Sequence, residues 1–259
     1  MDAINAENQY SAIANILSES LALQQPPIAV CFSQAAPVGI DRHAGRVPAG
    51  CRFWEDAATN RFVTTAADHS HCAIGVYTHN LRPSDSQQRD LVDALSVFRD
   101  LGYVREEDLP LIPVLAAQPE FVVYAPLAET PLPPDVVILF VKANQTLILS
   151  EATQQVESRT PPAMGRPACA VVPQVMNTGQ AAFSLGCCGA RAYLDGLTDD
   201  VAIFAIPGAK LKAYTERIDA LSKANRLLAK FHGIRRRDIE SGQSPTIEQS
   251  LGALKASEN

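Results

Sequence analysis

Pro133-Pro134-Asp135-Val136-Val137-Ile138-Leu139-Phe140-Val141 is the stretch whose reading decides the fold. Its apolar run is unbroken from Val136 to Val141 and rich in β-branched residues. A strand with one wet face alternates apolar and polar side chains, whereas a strand covered on both faces does not. The run therefore predicts a central strand with a layer packed on each side.

Working outward, similar segments recur. Val201-Ala202-Ile203-Phe204-Ala205-Ile206 reads as a second buried strand, ended by Pro207-Gly208. Ile28-Ala29-Val30-Cys31-Phe32 is a shorter one behind Pro26-Pro27. Arg61–Thr65 and Phe121–Tyr124 have the β-branched and aromatic content of strands. Helical spacing marks residues 8–23 through Tyr10, Ile13, Leu17 and Leu21, and a second helix through Leu91, Leu95 and Phe98, closed by Gly102. Asn144 offers an N-cap to a helix carrying Leu147 and Ile148. A long helix keeps Leu211, Tyr214, Ile218, Leu221, Leu228 and Phe231 on one face. Residues 158–168 read as a loop containing Pro and Gly.

The order of features repeats. Pro26-Pro27, a strand, Cys51, a strand and Cys72 with Gly75 are followed by Pro133-Pro134, a strand, Cys169, a strand and Cys187 with Gly189. The paired cysteines are 21 and 18 positions apart. These observations predict an α/β protein of two pseudo-repeated lobes with mixed sheets and flanking helices. The N-terminal lobe spans 1–105 and the C-terminal lobe 106–235, forming one compact unit. Residues 236–259 are expected to be a weakly ordered tail.

Composition narrows the function. The 259 residues are 47% hydrophobic and 19% charged, enough for a substantial core, and the net charge is −6. That balance argues against a nucleic-acid partner, which needs clustered Lys and Arg. Arg235-Arg236-Arg237 reads as a solvated helix end. No apolar run is long enough to span a bilayer. The opening Met-Asp-Ala-Ile-Asn-Ala-Glu lacks the basic start and apolar core of a signal peptide. The expected compartment is the cytosol, where disulfides are rare. Six cysteines there point to metal, catalysis or redox sensing. No Walker lysine motif, G-x-G-x-x-G or G-x-S-x-G is present, so nucleotide and serine-hydrolase readings lack support.

The chemistry centres on Phe183-Ser184-Leu185-Gly186-Cys187-Cys188-Gly189-Ala190-Arg191. An apolar strand runs into a glycine-bounded turn carrying two thiols. Cys51, Cys72 and Cys169 also sit beside turns, while Cys31 lies mid-strand and reads as core. Four soft thiolates on separate elements suit an iron–sulfur cluster or zinc. Structural zinc sites usually bring their ligands as close pairs, so dispersed cysteines fit a cluster held between two lobes better. His69, beside Asp68, is a candidate for proton transfer or for supporting a ligand. His71 reads as a solvent-facing turn residue, and His43, His79 and His232 as surface. Arg191 could lower a cysteine pKa, clamp an anion or form a structural ion pair. Phe53, Trp54 and Phe183 are expected to supply part of an apolar shell.

Pro27-Ile28-Ala29-Val30, the Cys51 segment, Asp68-His69 through Cys72 and Gly75, Ala125-Pro126-Leu127, Pro134–Val137, Ala168-Cys169 and Leu185–Arg191 together resemble the domain-of-unknown-function family numbered 169. The resemblance implies that Cys51, Cys72, Cys169 and Cys187 occupy the family's cysteine positions and Arg191 its Gly-x-Arg arginine. Cys188 falls on a variable position. The chain departs from the commoner pattern at Arg52-Phe53-Trp54. The family implies no reaction.

The expected function is cysteine-ligated iron–sulfur binding through Cys51, Cys72, Cys169 and Cys187, with a redox or accessory role. Zinc is the alternative metal, with His69 and Arg191 supporting the site. The partner would be a small molecule or a redox protein. Two other classes stay open: an enzyme using Cys187 or Cys188 as nucleophile on a small molecule, and a ligand-binding or regulatory module with core cysteines.

Overall fold

The structure, a computed structural model, describes residues 3–164 and 167–257. The opening Met1-Asp2, Gly165 and Arg166 of the expected 158–168 loop, and the last two tail residues lie outside the described residues.

Helix α1 (Ala3–Leu21) leads through Pro26-Pro27 into strand β1 (Ile28–Ser33). A long loop reaches α2 (Arg52–Asp56), then β2 (Phe62–Thr64), α3 (Ala73–Thr78) and α4 (Asp85–Asp100). Strand β3 (Phe121–Pro126) precedes β4 (Val136–Lys142), which passes directly into α5 (Ala143–Glu157). The two-residue β5 (Ala163–Met164), α6 (Val171–Thr178), β6 (Ala182–Ser184), α7 (Cys188–Tyr193) and β7 (Val201–Pro207) follow. Helices α8 (Leu211–Glu240) and α9 (Ile247–Ser257) close the described chain.

The seven strands among the described residues form one mixed sheet in the order β2-β3-β1-β4-β7-β6-β5. The predicted central strand is at its centre. Side chains of β4 alternate between faces: Val136, Ile138 and Phe140 enter one core, and Val137, Leu139 and Val141 the other. Strand β7 divides likewise, with Ile203 and Ala205 against Phe204 and Ile206. Each such Val, Leu, Ile or Phe side chain contributes roughly 1.5–3 kcal/mol relative to exposure. One face of the sheet carries the long helices, through Leu17 of α1, Leu149 of α5 and Tyr214 and Ile218 of α8. The other face carries the short helices α2, α3, α6 and α7 and their cysteines.

The end of β7 meets the start of β4. The Gly208 amide donates to the Asp135 carbonyl at 2.8 Å. A Cβ at Gly208 would lie 1.6 Å from the Pro134 carbonyl oxygen, so no larger residue fits there.

The strand order is symmetric about the β1–β4 pair. β1 pairs antiparallel with β3, and β3 with β2. β4 pairs antiparallel with β7, and β7 with β6. Even the margins correspond: Arg42 bridges Val63 of β2 in parallel, and β5 pairs with β6 in parallel.

Strand β3, which follows residue 105, pairs with β1 and β2, which precede it. Two expectations need correction. Asn144 lies inside α5, because β4 runs straight into the helix at Lys142. The tail expected over 236–259 carries helix instead. Helix α8 continues to Glu240 with Arg236 and Glu240 paired at 2.7 Å. Thr246 and Gln249 exchange hydrogen bonds at 2.8 and 3.2 Å, a capping box that starts α9.

Candidate functional site

Four cysteines stand where loops enter the short helices of one face. Cys51 directly precedes α2, Cys72 precedes α3 and Cys187 precedes α7. Cys169 lies in the 3-10 turn at 168–170 that leads into α6. Cys51, Cys72, Cys169 and Cys187 lie close enough together for each charge to act on the other three. All four, with Cys188, line a single cavity of about 1020 Å³. Up to 136 positions of sequence separate these residues.

The environment works against ionisation. Burial pushes the Cys51 thiol well above its ordinary value, and the neighbouring Cys169, Cys72 and Cys187 push it further. Cys169 is likewise raised, by burial and then by Cys72, although the Thr78 hydroxyl donates to its sulfur at 3.3 Å. Cys72 is raised by burial, partly offset by backbone hydrogen bonds from Gly50 and Gly75. Such thiols are inert nucleophiles as they stand.

Glycines make room for this packing. A Cβ at Gly75 would sit 2.9 Å from the Cys72 sulfur and 3.3 Å from His69 Nδ1. One at Gly50 would sit 2.6 Å from His69 Nδ1.

His69 is wholly buried, and neither ring nitrogen meets a hydrogen-bond partner among the described residues. Burial, and then nearby His79, push its pKa down to about 3. The Tyr124 hydroxyl is equally buried and unpartnered, and Cys169, Cys72 and Cys51 all act on it. The indole nitrogen of Trp54 is a further orphan. Buried polar groups in folded proteins are paired in about nine cases of ten or more. Of these groups, His69 and Tyr124 stand beside the thiols.

Other expected residues lie elsewhere. Arg191 does not line the cavity; its guanidinium donates to the carbonyls of Leu185, Leu197, Thr198 and Val201, fastening the segment around α7. Phe53 and Trp54 are buried in the cysteine-side core, whereas Phe183 is on the opposite face against Phe204. Alternation explains this, since Ala182 and Ser184 point inward on either side of it. His79 is buried, 2% exposed, with Nδ1 2.9 Å from the Gly75 carbonyl oxygen. His71 is exposed at the cavity rim. Cys31 is buried in a separate cluster with Val63 and Val123, as its mid-strand position predicted.

Tyr124 and His79 were missed from the sequence. Period-two alternation puts Tyr124 on the face of Val122, a usable signal. For His79 the only hint was its place four residues after Gly75.

Residues 16–217 match the model of DUF169, described as Uncharacterised ArCR. The chain belongs to the DUF169 family. No curated protein and no solved structure matches it significantly. The match to DUF169 spans all four clustered cysteines, His69 and Arg191, and every strand. Among the described residues, no group of three or more His, Cys, Asp or Glu side chains is disposed to hold a metal ion. No helix among them is long and apolar enough to cross a membrane.

Proposed function

We propose that this DUF169 member binds an iron–sulfur cluster through Cys51, Cys72, Cys169 and Cys187 and serves a redox or accessory role with a small molecule or redox protein. The observation that carries the reading is the mutual proximity of four thiols, two buried and two half-buried, at one cavity. Four thiolates alone would repel one another in that apolar setting. A bound cationic group would reverse the effect and hold all four deprotonated.

The donor set favours a cluster over zinc. A tetrahedral zinc ion with Zn–S bonds of about 2.3 Å draws its sulfurs to about 3.8 Å from one another. These donors are not gathered for a single ion. A cluster takes its cysteines at separate irons, so its thiolates stand further apart. We also read the two halves as structural repeats, each giving a cysteine before the strands β2 or β6 and another after them.

Anaerobic purification with a visible spectrum and iron, sulfide and zinc assays tests the reading. The expected result is brown protein with stoichiometric sulfide. The colour should be lost in Ser variants at each of the four positions and retained in Cys31→Ser. Colourless, sulfide-free protein after anaerobic reconstitution would overturn it. Rapid alkylation of the exposed Cys188 or half-buried Cys187 in that protein would then favour the nucleophile reading.

A further inference from the structure

We propose that Glu55 and Arg52 are positioning residues for the thiols: they tie the segment that carries Cys51 to the segment that carries Cys187 and so set the spacing of the two sulfurs. The inference rests on the reading, proposed above, that the four thiols hold one group in common. Cys51 directly precedes α2, and Glu55 stands four positions on, about one turn along that helix. Cys187 starts α7, where its sulfur accepts from the Ala190 amide at 3.5 Å. Helix α7 ends at Tyr193, and the tie is made on the loop behind it.

The Glu55 carboxylate accepts from two successive amides of that loop, Asp195 at 3.2 Å and Gly196. Arg52 donates to the Asp195 carboxylate at 3.0 Å and stands 3.0 Å from Glu55, whose charge it balances. Amide bonds to a carboxylate are charge-assisted and stronger than neutral ones. The Glu55 side chain is 9% exposed and that of Asp195 93%, so the amide bonds carry the tie and the Asp195 ion pair adds little. Glycine is required at the meeting point. A Cβ at Gly196 would lie 2.9 Å from Glu55 Oε1 and 2.0 Å from Gln25 Nε2.

Along the chain, 136 positions separate Cys51 from Cys187. Through Glu55 the path is one helical turn from Cys51 and nine positions from Gly196 back to Cys187. Arg191 braces the second part, because its guanidinium donates to the Leu197 and Thr198 carbonyls of the same loop. Groups that must act together keep their geometry when the residues behind them are fixed in this way. The dependence is selective. Loss of the Glu55 carboxylate leaves the loop amides short of an acceptor and loosens the Cys187 segment from α2. Cys72 keeps its backbone hydrogen bond from Gly50, the neighbour of Cys51, so the spacing of Cys51 and Cys72 does not pass through Glu55.

Dibromobimane, which joins two neighbouring thiols, reads these spacings in full-length, metal-free protein purified anaerobically, with mass spectrometry of the digest assigning each joined pair. Wild type should give a Cys51–Cys187 product and a Cys51–Cys72 product. Glu55→Gln should lower the first at least fivefold and leave the second within twofold. Glu157→Gln is the control for a merely structural loss. Glu157 also accepts from a backbone amide, that of Ala181 at 3.0 Å, and pairs with Lys210 at 3.2 Å, but it does not line the thiol cavity. It should lower the melting temperature and change neither product. A Glu55→Gln protein that keeps its Cys51–Cys187 yield would overturn the proposal, as would a wild type that never forms that product. Equal loss of both products, or the same selective loss in Glu157→Gln, would overturn it too, since either marks general loosening. Iron and sulfide content read the cluster independently. Colourless protein whose Cys51–Cys187 yield depends on Glu55 defeats the cluster alone, and brown protein whose yield does not defeats the tie alone.

Discussion

Gly75 is closely confined beside the thiols. Its Cα faces both the Cys72 sulfur and the His69 ring, so Gly75→Ala must displace one of them. The expected cost is about 1–3 kcal/mol from overpacking, read as a lower urea midpoint with unchanged slope. His79 sets a second expectation. Burial lowers its pKa to about 4 in the folded chain, against about 6.5 unfolded. Above pH 6.5 both states are neutral and stability is full. As pH falls toward 4 the unfolded chain takes up the proton first, and stability declines by at most about 1.4 kcal/mol per pH unit. Urea titrations of metal-free protein at pH 7.5 and 5 should show this loss, and His79→Phe should reduce it. The cysteines were legible because each sits beside a turn. His79 was not, because nothing local in Thr78-His79-Asn80 tells that β1 and the segment leading to β3 cover it. Its ring lies 5.7 Å from Phe32, a neighbour distant in sequence.

Among the elements, the segment around α7 depends most on one side chain. Arg191 reaches carbonyls at both ends of it, including that of Thr198 at 2.7 Å. Lysine keeps the charge but cannot spread its donors as a planar fork. Arg191→Lys should therefore lower stability by about 1–3 kcal/mol, and hydrogen exchange should speed up across 185–201 while α5 and α8 stay protected. The sequence offered Arg191 as a means to lower a cysteine pKa, as an anion clamp or as a structural ion pair; its bonds to the carbonyls were not legible, because backbone acceptors leave no charge pattern to read. Elements with strong periodicity were legible: the apolar run of β4, the stripes of α1 and α8, and the alternation that divides Val122 and Tyr124 from Val123. Helix α9 was hidden in a polar stretch, although Thr246-Ile247-Glu248-Gln249 carried its capping box in plain view.

Across the whole molecule, a mixed sheet with flanking helices was legible in the apolar runs of β1, β4 and β7. The pairing of β3 with β1 and β2 was not, because β3 lies beyond the long, mostly exposed stretch of α4 and the 3-10 turn at 106–111. The two triplets of strands meet along a narrow seam. β1 and β4 share only the pairs Ile28–Ile138, Ala29–Val137 and Val30–Val136, against seven pairs between β4 and β7. The Asp135 carboxylate extends the seam by accepting from the Phe32 amide at 2.7 Å. Cys51 and Cys72 belong to one side of this seam, and Cys169 and Cys187 to the other. A group held by all four would act as a strut, bracing the joint from its cysteine face. Its load would then be felt in the joint: amide exchange at Val30 and Val136 should slow when metal-free protein is reconstituted, and exchange between β4 and β7 should stay unchanged. Equal slowing in both would mean that the strut spans no joint, and that the sheet stiffens as one plate.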